Sequence, residues 1–179
     1  MEPDSAPVTD PPRAAATVVL LRDGAAGLEV LLLKRHSRSD VLGGVYVFPG
    51  GKVDPADAGP EWPARLDQTL KELHTGLQEP DLNDAAAASL YVAALREAFE
   101  ESGVLFALDL PQLLAERALA LHRDGCAFDA LLAQLALTLH TRAVVPWSRW
   151  ITPRRPTMMS KRFDTRFFVA KAPPGQQAR

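Results

Sequence analysis

The 179-residue chain has one cysteine, no apolar run long enough to cross a bilayer and no excess of basic residues. One cysteine excludes an intrachain disulfide, and a reducing, cytoplasmic location is the simplest expectation. A membrane span needs about 18 consecutive apolar residues, so we expect no membrane partner. The net charge of -2 and the pI near 6.1 argue against binding to a nucleic-acid polymer, because such binding usually requires a strong basic excess.

The composition favours one folded domain behind a short tail. Hydrophobic residues make up 47% of the chain and charged residues 23%, which is enough for a sizeable core. Residues 1–13 contain four prolines among small polar residues, so we expect a disordered N-terminal tail. Residues 14–179 are expected to form a single domain.

Short apolar runs predict β-strands near both ends of this domain. Runs at 17–21 and 29–33 flank a glycine-containing turn, which indicates an antiparallel hairpin. Residues 45–47 form a further short strand that leads into a Pro-Gly-Gly turn. Two more strand candidates span 144–152 and 162–170.

Helical periodicity predicts helices in most of the remaining sequence. Between 52 and 83, leucines at helical spacing predict one short amphipathic helix in a polar segment that looks inserted. Residues 85–101 contain neither glycine nor proline and predict a long helix. Segments rich in leucine and alanine at 111–124 and 127–140 are typical of a helical hairpin.

The longest predicted helix has faces of different chemistry. We expect Asp84 as its N-cap and Gly103 as its C-terminal stop. Glu97, Glu100 and Glu101 lie at i, i+3 and i+4, so three carboxylates converge on one patch. The apolar stripe on the opposite face consists of Ala88, Val92, Leu95 and Phe99.

The acidic patch has two interpretations. Oxygen clusters of this kind bind hard cations such as Mg2+, but a glutamate-rich helix is also typical of a solvated face with an Arg96–Glu100 pair. The turn at Gly50 and Gly51 favours the cation site, because glycine lets the backbone approach a phosphate or a metal closely. Strand, glycine turn and acidic helix together suggest a metal-phosphate site.

These residues resemble the signature of the Nudix hydrolase family: glycine, five residues, glutamate, seven residues, then Arg-Glu-apolar-any-Glu-Glu-any-Gly-apolar. The run from Arg96 to Val104 matches the second half in full, and Gly51 matches the opening glycine. Asp57 stands where the signature has glutamate, and 44 residues separate Gly51 from Arg96. We interpret residues 58–83 as an insertion that interrupts the signature.

The interruption is similar to that of the Nudix branch that includes a peroxisomal coenzyme A diphosphatase, and the Arg162–Phe168 run also resembles that branch. Coenzyme A-directed relatives carry a longer motif before the glycine turn. The residues in register with that motif are Leu31, Leu32, Arg35, Gly44, Phe48, Pro49, Gly50 and Gly51. Leu33, His36 and Asp40 depart from it, and an aspartate cannot contact a phosphate as an arginine does.

The resemblance implies a fold of the α/β class, a Nudix-type α/β/α sandwich around a mixed sheet with a helical insertion inside the signature. Family members usually continue past this point with another strand and a final helix. We therefore expect that C-terminal part to be missing from this chain.

The same resemblance implies a metal-dependent hydrolase that cleaves a nucleoside diphosphate linkage in coenzyme A or an acyl-coenzyme A. The partner is then a small nucleotide-type molecule, while the oligomeric state is left open. The main rival is a hydrolase of ADP-ribose or another nucleoside diphosphate derivative. A Nudix-like binding module without turnover is the alternative from another class.

The implied site centres on the long helix. Glu97 and Glu101 are expected to ligate Mg2+ or Mn2+, with Glu100 as a further ligand or as the base that activates water. Arg96 is expected to orient a glutamate, so the catalytic set is Glu97, Glu100 and Arg96. The expected substrate-binding residues are Arg35, Phe48, Gly50 and Gly51.

Several residues keep two interpretations. Asp57 either replaces the signature glutamate or belongs to an ordinary Asp-Pro-Ala-Asp turn, and we favour the turn. Trp147 and Trp150 either line a pocket or pack in the core, and we favour the core. The basic run after the second strand either holds phosphates or forms a solvated edge. That run is Lys34, Arg35, His36 and Arg38.

Overall fold

The computed structural model describes residues 8–34, 44–154 and 161–178. Its strands are β1 (Arg13–Gly24), β2 (Gly27–Val30), β3 (Leu33–Lys34), β4 (Tyr46–Val47), β5 (Gly50–Lys52), β6 (Val144–Ile151) and β7 (Phe163–Lys171). Its α-helices are α1 (Leu70–Leu77), α2 (Asp84–Ser102), α3 (Gln112–Arg123) and α4 (Phe128–Gln134). Short 3-10 turns cover Pro55–Ala58, Trp62–Ala64 and Thr141–Ala143.

The predicted N-terminal tail overlaps the first strand. Residues 1–7 lie outside the described part of the chain. Val8 donates its backbone N–H to the carbonyl of Arg154 at 2.8 Å, and Arg13 already pairs with Phe163 of β7. The tail boundary expected after residue 13 is therefore too late, because a strand pairing begins at that residue.

β1 is the centre of a mixed sheet. It pairs in parallel with β7 and antiparallel with β2 and β5, while β6 pairs antiparallel with β7 and forms an edge. β3 and β4 form a separate antiparallel ribbon that leads into the glycine turn. The hairpin predicted at the start of the domain is confirmed as β1 and β2.

α2 confirms the long helix predicted at 85–101. Its N-cap is Asn83 and not Asp84, because the side-chain oxygen of Asn83 accepts the N–H of Ala86 at 2.8 Å. Asparagine and aspartate cap helices equally well, so composition does not choose between neighbours. Gly103 ends the helix as expected, with a φ of 76° that favours glycine.

The apolar face of α2 packs against one face of the sheet. The predicted stripe is buried, with every member at most 4% exposed. Alternate residues of β1, Ala16, Val18 and Leu20, belong to the same core, and the ring of Tyr91 lies 4.8 Å from that of Phe168 on β7. Burial of each large side chain contributes about 1.5–3 kcal/mol to stability.

The segment inserted between β5 and α2 belongs to that same core. Trp62, Leu66, Leu73 and Leu77 are all at most 9% exposed. The predicted amphipathic helix is confirmed as α1, which begins at a capping box formed with Thr69. Leu66 lies outside this helix, so the helix is shorter than its leucine spacing indicated. The insertion thus extends the core of the domain.

The second arm of the predicted helical hairpin, 127–140, is too long. α4 ends at Gln134, and Ala136 then adopts a left-handed φ of 52° that cannot continue a helix. Leu139 runs extended and forms a β-bridge with Leu66 of the insertion. A tertiary pairing therefore overrides the local helical composition.

α2 packs on one face of the sheet, and residues of α1, α3 and α4 belong to the same buried core. On the other face, Val145, Trp147 and Trp150 are 59%, 68% and 62% exposed. The prediction that the two tryptophans pack in the core is wrong, because both are exposed and Trp150 pairs with Thr165 on the face turned away from α2. The α/β class and the mixed sheet are confirmed. No described helix has the length and hydropathy of a membrane span.

Candidate metal and diphosphate site

The site forms where β5 meets the C-terminal half of α2. Gly50 donates its N–H to Glu101 Oε2 at 2.9 Å, which fixes that carboxylate against the glycine turn. A Cβ at Gly51 would overlap the carboxylate of Glu97, and one at Gly50 would overlap β1. Gly50 requires glycine because the clash there includes the backbone of β1, whereas a side chain at Gly51 would displace the Glu97 carboxylate. The turn and the acidic helix are therefore one structural unit.

Arg96 connects the carboxylates to the loop. Its guanidinium makes paired hydrogen bonds to Asp57 at 2.8 and 3.0 Å. It also donates to Glu97 and Glu100, each at 2.9 Å, and to the carbonyl of Lys52 at 3.1 Å. These five bonds use all five donors of the side chain. Arg96 is 8% exposed, so its charge is held in place with its partners.

Asp57 is the functional residue that the sequence interpretation missed. The turn is present, since the carboxylate of Asp57 accepts the N–H of Asp54 at 2.8 Å. However, Asp57 is only 2% exposed and forms the buried ion pair with Arg96. The signal was available, because Asp57 stands at the glutamate position of the signature. The preference for the turn alone is corrected here, as the same carboxylate fills both roles.

Burial and neighbouring charges have opposing effects on the pKa values of Glu97 and Arg96. Burial raises the pKa of Glu97 above its usual value, and the charges of Glu101 and Glu100 raise it further, while Arg96 partly offsets the effect. Burial also disfavours the charged form of Arg96, but the hydrogen bonds and charge of Asp57 outweigh it and raise the pKa of Arg96. The cluster therefore holds more negative charge than Arg96 neutralises.

Hard-cation chemistry fits these oxygen donors. Among the described residues, no three carboxylate, histidine or cysteine side chains form a ready-made metal cluster. Each glutamate has one oxygen bonded to a protein donor: Glu97 and Glu100 to Arg96, and Glu101 to Gly50. The second oxygen of each has no protein hydrogen bond within the described part and is available to a cation.

Most of the predicted site residues come together. Arg96 bonds Glu97 and Glu100, Gly51 lies against Glu97, and Gly50 bonds Glu101. Phe48 is half-buried and precedes the glycine turn by one residue. Arg35 lies outside the described residues, as do His36 and Arg38.

A glycine turn packed on an acidic helix, with a buried arginine holding the carboxylates, is the arrangement expected from the Nudix signature. The chain belongs to the Nudix hydrolase family: the family model described as the NUDT19 Nudix domain matches residues 8–177. The branch indicated by the interrupted signature is thereby confirmed.

Relatives and a solved structure agree with this assignment. The chain is 30% identical to the human acyl-coenzyme A diphosphatase NUDT19 over 81% of its own length, and 28% identical to the chicken protein of the same name over 86%. It covers 48% and 54% of those proteins, so it spans about half the length of these relatives. A crystal structure of a NUDIX hydrolase from Alicyclobacillus acidocaldarius superposes with a TM-score of 0.70 at 34% identity, covering 96% of this chain and 74% of that one.

Proposed function

We propose that this domain hydrolyses the diphosphate bond of coenzyme A or an acyl-coenzyme A in a metal-dependent reaction. The observation that carries the proposal is the set of three α2 carboxylates anchored by Arg96 and the glycine turn. The substrate class is supported by the names of the human and chicken relatives, which are acyl-coenzyme A diphosphatases.

Each site residue has a defined task in such a reaction. Glu97, Glu100 and Glu101 would hold Mg2+ or Mn2+ through the oxygens that the protein leaves without partners. The bound cation would neutralise diphosphate charge and lower the pKa of a water molecule. Of the two α2 carboxylates that Arg96 bonds, Glu100 is more exposed than Glu97, so it is placed to accept the proton of the attacking water.

The glycine turn and Arg96 hold the carboxylates in place and take no part in the chemical step. Gly50 and Gly51 bring backbone within contact distance of the carboxylates, where a side chain would clash. Arg96 has every donor engaged, so it holds Glu97 and Glu100 in fixed orientations and does not bind substrate. A preorganised set of charges costs little reorganisation at the moment of reaction.

Two alternative functions would be distinguished by their products, because one cleaves another substrate and the other cleaves nothing. A hydrolase of ADP-ribose would use the same carboxylates on another nucleoside diphosphate, and a binding module would bind nucleotide without cleaving it. Intact carboxylates on α2 favour an enzyme over a binding module. A cytoplasmic location, inferred from cysteine content, remains part of the proposal.

A substrate panel tests the proposal. Purified protein is incubated with coenzyme A, acetyl-coenzyme A, ADP-ribose and NADH, with Mg2+, with Mn2+ and with a chelator, and the products are identified by mass. We expect adenosine 3',5'-bisphosphate from both coenzyme A substrates only when metal is present. Cleavage of ADP-ribose or NADH alone would assign the rival activity, and no cleavage by the folded protein would favour the binding module.

A further inference from the structure

The β3–β4 ribbon, which leads into the glycine turn, presents an exposed aromatic ring. Lys34 and Tyr46 are paired across the ribbon, so their side chains share one face. Tyr46 is 62% exposed, and Leu32, two residues before Lys34 along the chain, is 42% exposed. An exposed aromatic ring flanked by an apolar side chain and a cation is poorly explained by core packing.

The ring and the cation form a pair. Lys34 Nζ lies 5.9 Å from the centroid of the Tyr46 ring, a cation–π arrangement that holds the lysine next to the aromatic surface. Nucleobases stack on aromatic faces of this kind, and the stacking tolerates any base because every base has a π-face. The ammonium group adds a positive charge, which favours an anionic nucleotide as the ligand.

The ribbon is connected to the glycine turn by a very short segment. Tyr46 precedes Gly50 by four residues, so the two backbones are at most about 14 Å apart. Gly50 holds the Glu101 carboxylate through its N–H. In a nucleoside diphosphate one sugar separates the base from the diphosphate, so the residue that binds the base must lie near the diphosphate site, and the short connection keeps Tyr46 near the glycine turn.

We propose that Tyr46, supported by Lys34, is the platform on which the nucleobase of the substrate stacks while its diphosphate lies against the α2 carboxylates. This inference rests on the proposed function, because it names a binding residue for the same nucleotide substrate. It assigns Tyr46 to ground-state binding, and not to the chemical step.

Steady-state kinetics with coenzyme A test the assignment. Tyr46→Ala should raise KM about tenfold and leave kcat unchanged, because stacking acts equally on the ground state and the transition state. Tyr46→Phe keeps the ring and should retain the wild-type KM. Trp150→Ala is the matched control, since Trp150 is also 62% exposed but lies on the edge strand β6. Equal KM values for Tyr46→Ala and Trp150→Ala would overturn the assignment.

A binding measurement separates this inference from the proposed function. Calorimetry in chelator compares adenosine 3',5'-bisphosphate with ribose 3,5-bisphosphate, which lacks the base. The wild-type protein should bind the adenosine compound more tightly, and Tyr46→Ala should remove that preference while Trp150→Ala keeps it. If the wild type shows no preference, or Tyr46→Ala retains it, the platform is refuted. This comparison decides the matter even if no diphosphate is cleaved, a result that would refute the proposed function alone.

Discussion

At the scale of single residues, Glu97 carries a charge that its surroundings oppose. Its side chain is 13% exposed, and two further carboxylates lie within a turn of it on α2. Arg96 supplies one positive charge, which it shares among Asp57, Glu97 and Glu100. The folded protein therefore keeps unfavourable negative charge at this position, which is the arrangement expected of a site that gains a cation in use.

Glu97→Gln should abolish activity without lowering the stability of the fold. The pKa of Glu97 is raised above 4.5 in the folded protein, so the wild type loses stability as the pH rises from about 4.5 through that raised pKa. The variant has no such loss. We expect it to melt at the same temperature as the wild type or higher at pH 7 in chelator, yet to lose turnover by orders of magnitude. Melting well below the wild type at pH 7 would contradict this account of the charge.

Asp57→Asn tests the buried ion pair. Removing one partner leaves the Arg96 charge without its paired acceptor, so we expect a loss of about 3–5 kcal/mol in the free energy of unfolding. Asp54→Asn is the control, because Asp54 is 36% exposed and lies 3.8 Å from Arg96. That change should cost less than about 1 kcal/mol. Chemical denaturation of both variants measures the difference, and equal losses would show that Asp57 acts only in its turn.

The sequence predicted the three glutamates of the site, but it did not predict that Asp57 would pair with the arginine that holds them. Glu97, Glu100 and Glu101 are close along one helix, so their meeting follows from helical geometry. Asp57 lies 39 positions from Arg96. Its local pattern also satisfies a turn, and only the folded chain shows that the turn delivers the carboxylate to the arginine.

At the scale of elements, the insertion between β5 and α2 is a structural part of the domain. α1 packs on α2, and Glu79, just after α1, pairs with the buried Arg166 of β7 at 2.5 and 2.9 Å. His74 of α1 contacts Asp84 at the start of α2. The insertion is thus fixed both to the helix that carries the site and to the sheet beneath it.

Leu73→Ala should show that the insertion stabilises the whole domain. Leu73 is fully buried, and shortening it leaves a cavity that costs about 2–5 kcal/mol. Leu113→Ala on α3 is the control, since Leu113 is 74% exposed and its loss should change stability by less than about 0.5 kcal/mol. The free energy of unfolding from denaturant titration gives both values. A neutral Leu73→Ala would mean that the insertion is only loosely attached.

Sequence patterns predicted an element well when nearby residues determine its ends, and poorly when a distant partner does. α2 was predicted within a residue at each end because an uninterrupted alanine-rich run and Gly103 define it. The end of α4 was missed because Leu139 pairs with Leu66, a partner more than 70 positions away. No pattern within 127–140 carries that information.

At the scale of the whole molecule, the sheet is covered on one face by the described helices and open on the other. The strands at both ends of the domain were predicted, but the parallel pairing of β1 with β7 was not, since it joins segments about 150 residues apart. Trp147 and Trp150 are exposed, and Trp150 lies on the face of the sheet turned away from α2. Sequence composition favours burial for tryptophan and does not reveal which face of the sheet the helices cover.

The central claim is that the α2 carboxylates carry out metal-dependent cleavage of a diphosphate. The most direct measurement is metal-dependent product formation, read by mass, for the wild type, Glu100→Gln and Glu101→Gln, with the exposed Glu116→Gln on α3 as the matched control. The account predicts that the wild type and Glu116→Gln cleave coenzyme A only with Mg2+ or Mn2+, and that the two α2 variants fold normally but lose turnover by orders of magnitude. Full activity in both α2 variants, or cleavage that persists in chelator, would contradict it.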